Sequence, residues 1–255
     1  MTEQRPPSIS ELLDLSGQSV LVTGASGNIG QGIARGLAAA GANVIAHYYT
    51  DEEAALRLID DIGAGAAAQG DLSSASAVEA LLEETRPDLV VNNAAIQPVQ
   101  ALADTSPTDW RRVHAANLDS AFFVTRCATR IWRAEGRRGA IVNIASIEGS
   151  DPAAGHGHYA SSKAGLIMLT RACALEYGPA GIRVNAVSPG LIDRAGLADA
   201  WPEGVERWLD RAPLGRLGTP NDVADAVLFL LSPAARWISG ANLVVDGGMS
   251  AQNRW

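Results

Sequence analysis

Tyr159 and Lys163 stand four residues apart in the stretch HYASSKAG, residues 158–165, and Lys163 is the one lysine among 20 basic residues. On a helix that spacing puts both side chains on one face with adjacent Cβ atoms, where an ammonium can act on a phenol. A free tyrosine titrates near pH 10, and acid/base work near neutrality requires a shift of about three units, roughly 4 kcal/mol. Attraction between a phenolate and an ammonium about 4 Å apart is of order 4 kcal/mol at an effective dielectric near 20, so one lysine has the required strength. Arginine carries the same charge on a broad planar fork, whereas the slim ammonium offers three rotatable donors that can serve hydroxyl groups and water together. Such a pair is also common on exposed helix surfaces, so its meaning rests on its company. That company is Ser146 in NIASIEG, thirteen residues before the tyrosine, and Asn117 in AANLDSAF.

A second chemistry-bearing stretch is VLVTGASGNIGQGIA, where a strand pattern runs into a glycine-rich turn and then a helical pattern. That context is the one a dinucleotide fingerprint requires. Gly24, Gly27 and Gly30 lack side chains where a backbone must turn tightly and let a pyrophosphate approach a helix N-terminus. Asp71 in GDL and the run NNAA (92–95) follow later strands, at the carboxyl ends where an open α/β sheet holds its ligand.

These residues must be positioned by alternating elements. Apolar β-branched runs alternate with alanine-rich helical stretches from Ser19 onward, the pattern of a parallel sheet buried on both faces. Strands are expected at VLVT, NVIAHY, AAAQG, DLVVN, GAIVNIA, RVNAVS and NLVVD. Helices are expected near 29–40, 51–62, 74–85, 106–135, 157–178 and 220–231, with Pro179, Pro189 and Pro220 as stops or starts. The fold class is therefore α/β, a doubly wound Rossmann-type fold with a central seven-stranded parallel sheet and helices on both faces. Residues 1–15 read as an N-terminal tail with one short amphipathic turn, and 16–255 as a single domain.

Composition sets further bounds. The chain has 255 residues, 47% hydrophobic content and a formal net charge of −8, and no apolar run approaches the roughly 20 residues of a membrane span. Scattered arginines form no basic stripe for nucleic acid. The N-terminus shows no signal-peptide pattern, which points to a cytoplasmic location. Cys127 and Cys173 have no disulfide or metal-ligand spacing, and no metal is expected.

Taken together, TGASGNIG, GDL, NNAA, the Asn117 helix, Ser146, Tyr159 with Lys163, SPG at 188–190 and VDGG at 245–248 resemble the short-chain dehydrogenase/reductases. The likeness is to the compact branch that includes 3-oxoacyl carrier-protein reductases and sugar and alcohol dehydrogenases, and it runs from about Gly17 to Ser250. It implies a catalytic set of Asn117, Ser146, Tyr159 and Lys163. Tyr159 exchanges a proton with the substrate oxygen, Ser146 hydrogen-bonds that oxygen, Lys163 lowers the tyrosine's pKa and holds the nicotinamide ribose, and Asn117 anchors a water in a proton relay. It further implies a cofactor, NADP or NAD, contacted by Gly24, Ser26, Asn28, Ile29, Gly30, Tyr48, Asp71, Leu72, Asn93, Ala94, Tyr159, Lys163, Pro189, Gly190 and Ile192. The partner is a small-molecule alcohol or carbonyl compound, and the resemblance implies a homotetramer paired through the helices at 106–135 and 157–178 and the strand near NLVVD. The tail MSAQNRW either reaches a neighbouring site or is disordered.

Three positions depart from the family pattern. Asn28 replaces the middle glycine of T-G-x-x-x-G-x-G; since Asn tolerates a left-handed backbone, binding is expected to survive. Arg194 replaces a threonine, and either loses a cofactor contact, places a cation near the pyrophosphate or an acidic substrate, or turns to solvent. Tyr48 holds the position of a ribose-binding aspartate in NAD-preferring relatives; with no acid there to repel a 2′-phosphate, the reading leans to NADP. His156 and His158 lack a third ligand and read as loop or substrate contacts. Residues 191–211, with Trp201, Pro202 and Trp208, occupy the variable substrate lid. Substrate contacts are expected from Ser146, Glu148, His156, Arg194 and Trp201. The lid residues Asp193, Arg194, Asp199 and Glu203 favour a polar polyol, sugar or hydroxy acid, handled as a secondary alcohol and ketone or as a hemiacetal and lactone. The alternatives are a 3-oxoacyl thioester reductase and, in another class, a non-catalytic dinucleotide-binding sensor.

Overall fold

A computed structural model describes residues 7–251. In chain order its elements are α1 (Ile9–Leu13), β1 (Ser19–Val22), α2 (Asn28–Ala39), β2 (Asn43–Tyr48), α3 (Glu52–Ile62), β3 (Gly65–Gln69), α4 (Ala75–Thr85), β4 (Leu89–Asn92), α5 (Pro107–His114), α6 (Ser120–Ala134), β5 (Gly139–Ile144), α7 (Gly157–Tyr177), β6 (Ile182–Pro189), α8 (Leu197–Ala200), α9 (Pro202–Arg211), α10 (Pro220–Leu231) and β7 (Asn242–Val245). The strands form one seven-stranded sheet in the order β3-β2-β1-β4-β5-β6-β7, parallel throughout. Strand order reverses between β1 and β4, which makes their carboxyl ends the switch point where such sheets bind ligands.

The apolar strand runs follow from burial on both faces. Along β1, Val20 and Val22 pack into one core with Ile33 and Leu37 of α2 and Val223, Val227 and Leu230 of α10. Leu21 points the other way, into a core with Leu81 and Leu82 of α4 and Val124, Ile131 and Trp132 of α6. Alternation of side chains along a strand is what sends neighbours to opposite faces. Trp132 is fully buried and its indole N–H donates to the Pro87 carbonyl at 2.7 Å. Both cysteines are free and buried.

Helix starts are capped as the sequence allows. Ser74 and Ser106 accept the N–H of Ala77 and Asp109, and Thr219 with Asp222 forms a reciprocal box ahead of Pro220. Two features depart from expectation. The helix expected over 106–135 is interrupted by a π-helical segment at Ala115–Asp119, the segment that carries Asn117. The expected lid contains two helices of its own, α8 and α9, which were not among the expected helices. Among the described residues no helix is long and apolar enough to cross a membrane. The tail expectations at 1–6 and 252–255 lie outside the described residues.

Candidate active site

The floor of the site forms where β1 and β4 end. Thr23, 1% exposed, accepts the backbone N–H of Asn93 at 2.8 Å and of Ala94 at 3.0 Å on its hydroxyl, and donates to the Val91 carbonyl. Asn93 returns its amide to the carbonyls of Thr23 and Gly24, so its donors hold the glycine turn instead of reaching outward. Gly24 has φ +63° and a Cβ there would stand 2.9 Å from Ala94 Cα, so glycine alone meets both demands. At Gly30 a Cβ would fall 2.3 Å from the Gly24 carbonyl oxygen. His47 completes the brace: its Nδ1 accepts the Gly24 N–H at 3.0 Å, which leaves the proton on Nε2 to donate to the Gly70 carbonyl at 3.0 Å. Burial pushes its pKa down, keeping the imidazole in the neutral form this bonding needs. Sequence reasoning passed over His47 for its neighbour Tyr48.

Gly27 caps α2 without a side-chain hydrogen bond, leaving the N–H groups of the first turn to an anion. This uncapped turn beside side-chain-free Gly24 and Gly30 fits a dinucleotide pyrophosphate. Ser26 is half-buried, and Ile29 packs on the core. Asn28 corrects an expectation. It is the first residue of α2, outside the left-handed region, because the helix begins one residue earlier than the expected segment. Its side chain instead donates to the Asp193 carbonyl at 2.7 Å, tying the glycine loop to the lid.

The reactive groups converge at the end of β5. Ser146 and Tyr159 are 8% and 9% exposed; the serine hydroxyl accepts the Glu148 N–H at 3.1 Å and lies near enough to the phenol to lower its pKa. Lys163 is buried, and its Nζ donates to the Ile144 carbonyl at 2.7 Å, lying 5.6 Å from the Tyr159 ring centroid. Burial pushes the phenol up to about 12, against the lowering by Ser146 and with a further rise from the Glu148 charge. Burial likewise brings Lys163 down to about 8. The expected lowering of the tyrosine by the lysine is thus not present in this arrangement: the ammonium is directed at Ile144, and desolvation of the phenolate outweighs every other influence. Asn117 accepts the Ile96 N–H and gives its two amide donors to the Ile96 carbonyl and to Ser162 Oγ, while Ser162 donates to the Tyr159 carbonyl at 2.6 Å. With both donors taken, its side chain braces α7.

Around this floor the remaining expected residues are placed unevenly. Tyr48 is buried with its hydroxyl donating to Glu52 at 3.0 Å. Position 48 itself carries no acid, but Glu52 at the start of α3 brings a carboxylate to the Tyr48 hydroxyl. Asp71 accepts the N–H and hydroxyl of Ser73, which hold its pKa down; Leu72 is buried beside it. Gly190, following Pro189, is bonded to Val245, and Ile192 bridges to Gly218, which fixes the root of the lid. Trp208 packs over Gly190 and Asp246, and its buried indole N–H has no partner among the described residues. Trp201 instead covers its own helix at Gly204 and Arg207 and is 46% exposed. The structure does not bring it to Tyr159. Arg194 is exposed and its guanidinium pairs with no described residue, the solvent-facing alternative.

His156 and His158 separate sharply. His158 is fully buried, its Nδ1 accepting the Tyr159 N–H and its Nε2 unpartnered. His156 bonds both carboxylate oxygens of Glu148, at 3.1 and 2.9 Å, and its ring meets that of Tyr159 edge-on at 6.3 Å. Gln97, which sequence reasoning missed, donates to the same carboxylate at 2.9 Å; its place just past the carboxyl end of β4 was the available signal. A cavity of about 520 Å³ borders this cluster, lined by Leu102, Glu148, Pro152, Ala153, Ser161 and Ala164 among others, but not by Tyr159, Ser146 or Lys163.

Residues 24–250 match a family model described as Enoyl-(Acyl carrier protein) reductase. The chain is similar to L-rhamnose 1-dehydrogenase (NAD(P)(+)) of Azotobacter vinelandii, 41% identical over 251 residues that cover 91% of this chain and 96% of the relative. It is also similar to (3R)-3-hydroxyacyl-CoA dehydrogenase of Mus musculus, 40% identical over 254 residues, covering 93% and 98%. A solved structure with bound NADP from Agrobacterium tumefaciens, provisionally assigned as a 2-deoxy-D-gluconate 3-dehydrogenase, superposes with a TM-score of 0.88 at 36% identity, covering 94% of this chain and 99% of that one.

Proposed function

Because the chain belongs to the short-chain dehydrogenase/reductase family, we propose that Tyr159 is the acid/base of its reaction, supported by Ser146, Lys163 and Asn117. The protein is an NAD(P)-dependent oxidoreductase that interconverts a secondary alcohol and a ketone. The observation that carries the residue assignment is the juxtaposition of the Ser146 and Tyr159 hydroxyls at the carboxyl end of β5 with the buried Lys163 ammonium behind them.

NAD(P), held by the uncapped N-terminus of α2 and the glycine turn, supplies the hydride acceptor or donor. Toward a ketone, the phenol is already in the form required: with a pKa near 12 it is protonated at neutral pH and can donate from Oη to the carbonyl oxygen. Ser146 donates to the same oxygen as charge develops. Toward an alcohol, Tyr159 must first lose its own proton to solvent, so that the phenolate can accept the hydroxyl proton, and that phenolate needs a positive charge beside it. Lys163 provides one once its ammonium turns from the Ile144 carbonyl. Asn117, through Ser162, keeps α7 in the register that places Tyr159 and Lys163.

The substrate we assign is a polar polyol, sugar or hydroxy acid, in preference to a 3-oxoacyl thioester; residues 191–211 act as its lid over a single domain. Glu52 beside Tyr48 removes the ground for preferring NADP over NAD. A homotetramer is supported by the exposed apolar residues of α6, α7 and β7, including Phe122, Met168, Leu175 and Val244; a monomer mass by light scattering at micromolar concentration would overturn it.

The test is turnover, read by absorbance of the reduced nicotinamide, on a panel of sugars, polyols, hydroxy acids, simple alcohols and a 3-oxoacyl thioester with each cofactor. Tyr159→Phe is expected to lower kcat by about 10²–10⁴-fold, the range for general acid–base catalysis. Retention of full activity in that variant would sink the assignment.

A further inference from the structure

His47 is a buried titratable side chain that the proposed reaction does not use. It lies near the end of β2, between two loops expected at the dinucleotide: the glycine turn after β1 and the loop after β3 that leads from Gly70 into Asp71. It holds the turn twice. Its main-chain carbonyl accepts the Ala25 N–H at 2.8 Å, and its ring Nδ1 accepts the Gly24 N–H at 3.0 Å. Nε2 donates to the Gly70 carbonyl at 3.0 Å, so one ring ties the two loops together.

Gly24 is thereby fixed on both sides. Its N–H is held by His47, and its carbonyl accepts the Asn93 amide at 3.1 Å and the Gly27 N–H at 3.2 Å. The bond to Gly27 orients the residue that caps α2, where the unclaimed N–H groups suit a pyrophosphate. The two ring nitrogens have fixed roles in this arrangement. A backbone N–H only donates, so Nδ1 must be bare; a carbonyl only accepts, so Nε2 must carry the proton. The other neutral tautomer breaks both bonds, and an imidazolium turns an N–H toward the Gly24 N–H. Gly24 and Gly70, which bond the ring, are uncharged. Alongside them, Tyr48 is bonded to Glu52 and the Asp71 carboxylate is held by Ser73. Burial keeps the imidazole's pKa below its ordinary value, so the neutral ring persists through the neutral pH range.

Resting on the cofactor site assigned above, we infer that His47 is a positioning residue for the nicotinamide dinucleotide, its Nε2–H tautomer holding the glycine turn in binding shape and registering it to the loop after β3. Groups that touch a ligand bind best when a supporting layer of bonds fixes them in place. Loss of the Nδ1 bond frees the Gly24 peptide and should weaken dinucleotide binding about tenfold, the equivalent of roughly 1.4 kcal/mol.

Two substitutions separate the bonds. In His47→Asn the side-chain oxygen can stand in for Nδ1 while the bond to Gly70 is lost; in His47→Gln the amide nitrogen can stand in for Nε2 while the bond to Gly24 is lost. ADP-ribose, which carries the adenosine and the pyrophosphate but no nicotinamide, is titrated by calorimetry into the full-length protein and both variants, with Tm measured alongside. Each variant loses one buried bond, so the two should fall in Tm by similar amounts. Kd should nevertheless rise about tenfold in His47→Gln and by no more than about threefold in His47→Asn. An affinity indifferent to both substitutions, or lowered equally by both, overturns the positioning role and leaves the cofactor site intact. Failure of the wild type to bind ADP-ribose overturns the site and the role together. The wild type also supplies a test that needs no variant. Nitrogen NMR of the protein labelled with 15N-histidine should show His47 as the Nε2–H tautomer at neutral pH, and affinity for ADP-ribose should fall in acid in step with protonation of that ring. An Nδ1–H tautomer, or a protonated ring with undiminished affinity, overturns the inference.

Discussion

At the floor, where β1, β4 and β5 end, Thr23, His47, Asn93 and Asn117 find their partners almost entirely within the protein. At the rim, Glu148, His156 and Gln97 are bonded to one another yet remain partly exposed. The floor is carried by strand ends locked in a parallel sheet, and the rim by loops and the first turn of a helix. A satisfied, buried network is rigid and costly to alter, whereas loop residues can change without disturbing the core.

The largest way to break this comparison is Tyr159→Phe, which removes the floor hydroxyl assigned to proton exchange. Lys163→Met sharpens it, because it separates what the floor needs for chemistry from what it needs for stability. The lysine's pKa falls from 10.5 to about 8 through burial. Below pH 8 it is charged in both folded and unfolded chains, and the burial penalty is fully present. Between pH 8 and 10.5 the folded chain gives up the proton first, so stability rises with pH across that window and levels off above it. At pH 7 the penalty corresponds to about 3 kcal/mol, less about 1 kcal/mol for the lost bond to Ile144. Lys163→Met is therefore expected to abolish turnover yet raise Tm at pH 7 by roughly 4–8 °C at matched protein concentration, an advantage that shrinks toward pH 10.5. A lowered Tm at pH 7 would mean that the floor carries no such penalty.

The same division explains what could be read from the sequence. The seven strands and the glycine turn were legible because periodicity and punctuation are local, and β2 at Asn43–Tyr48 coincides with NVIAHY. Ser146, Tyr159 and Lys163 were legible through their order and spacing. What escaped depends on contacts between distant segments: the pairing of Gln97 with Glu148 across 51 positions and the bond of Lys163 to the Ile144 carbonyl across 19. Asn28 was misread for a different reason. Its tolerance of a left-handed backbone is not called on, because with Gly27 already serving as N-cap the helix claims it.

That misreading leads to the smallest effect, which bears on where floor and lid join. The Asn28 side chain crosses from the glycine loop to the Asp193 carbonyl, while the Asp193 N–H is bonded to the Gly218 carbonyl at 2.7 Å. Asp193 is thus held from both sides, by the cofactor-binding turn and by the approach to α10, at the point where the lid leaves the sheet. Asn28 is exposed, so removing its bond should alter stability by no more than about 0.5 kcal/mol. Its effect should instead be local: in Asn28→Ala, amide exchange over residues 193–200 is expected to quicken by a few-fold up to about tenfold, the equivalent of roughly 1.4 kcal/mol, with cofactor KM rising by a similar factor and Tm unchanged. Exchange confined to the same rates as wild type would show that Gly218 alone holds the lid. Faster exchange together with an unchanged KM would place the bond outside cofactor binding, leaving the floor and the lid independent of each other.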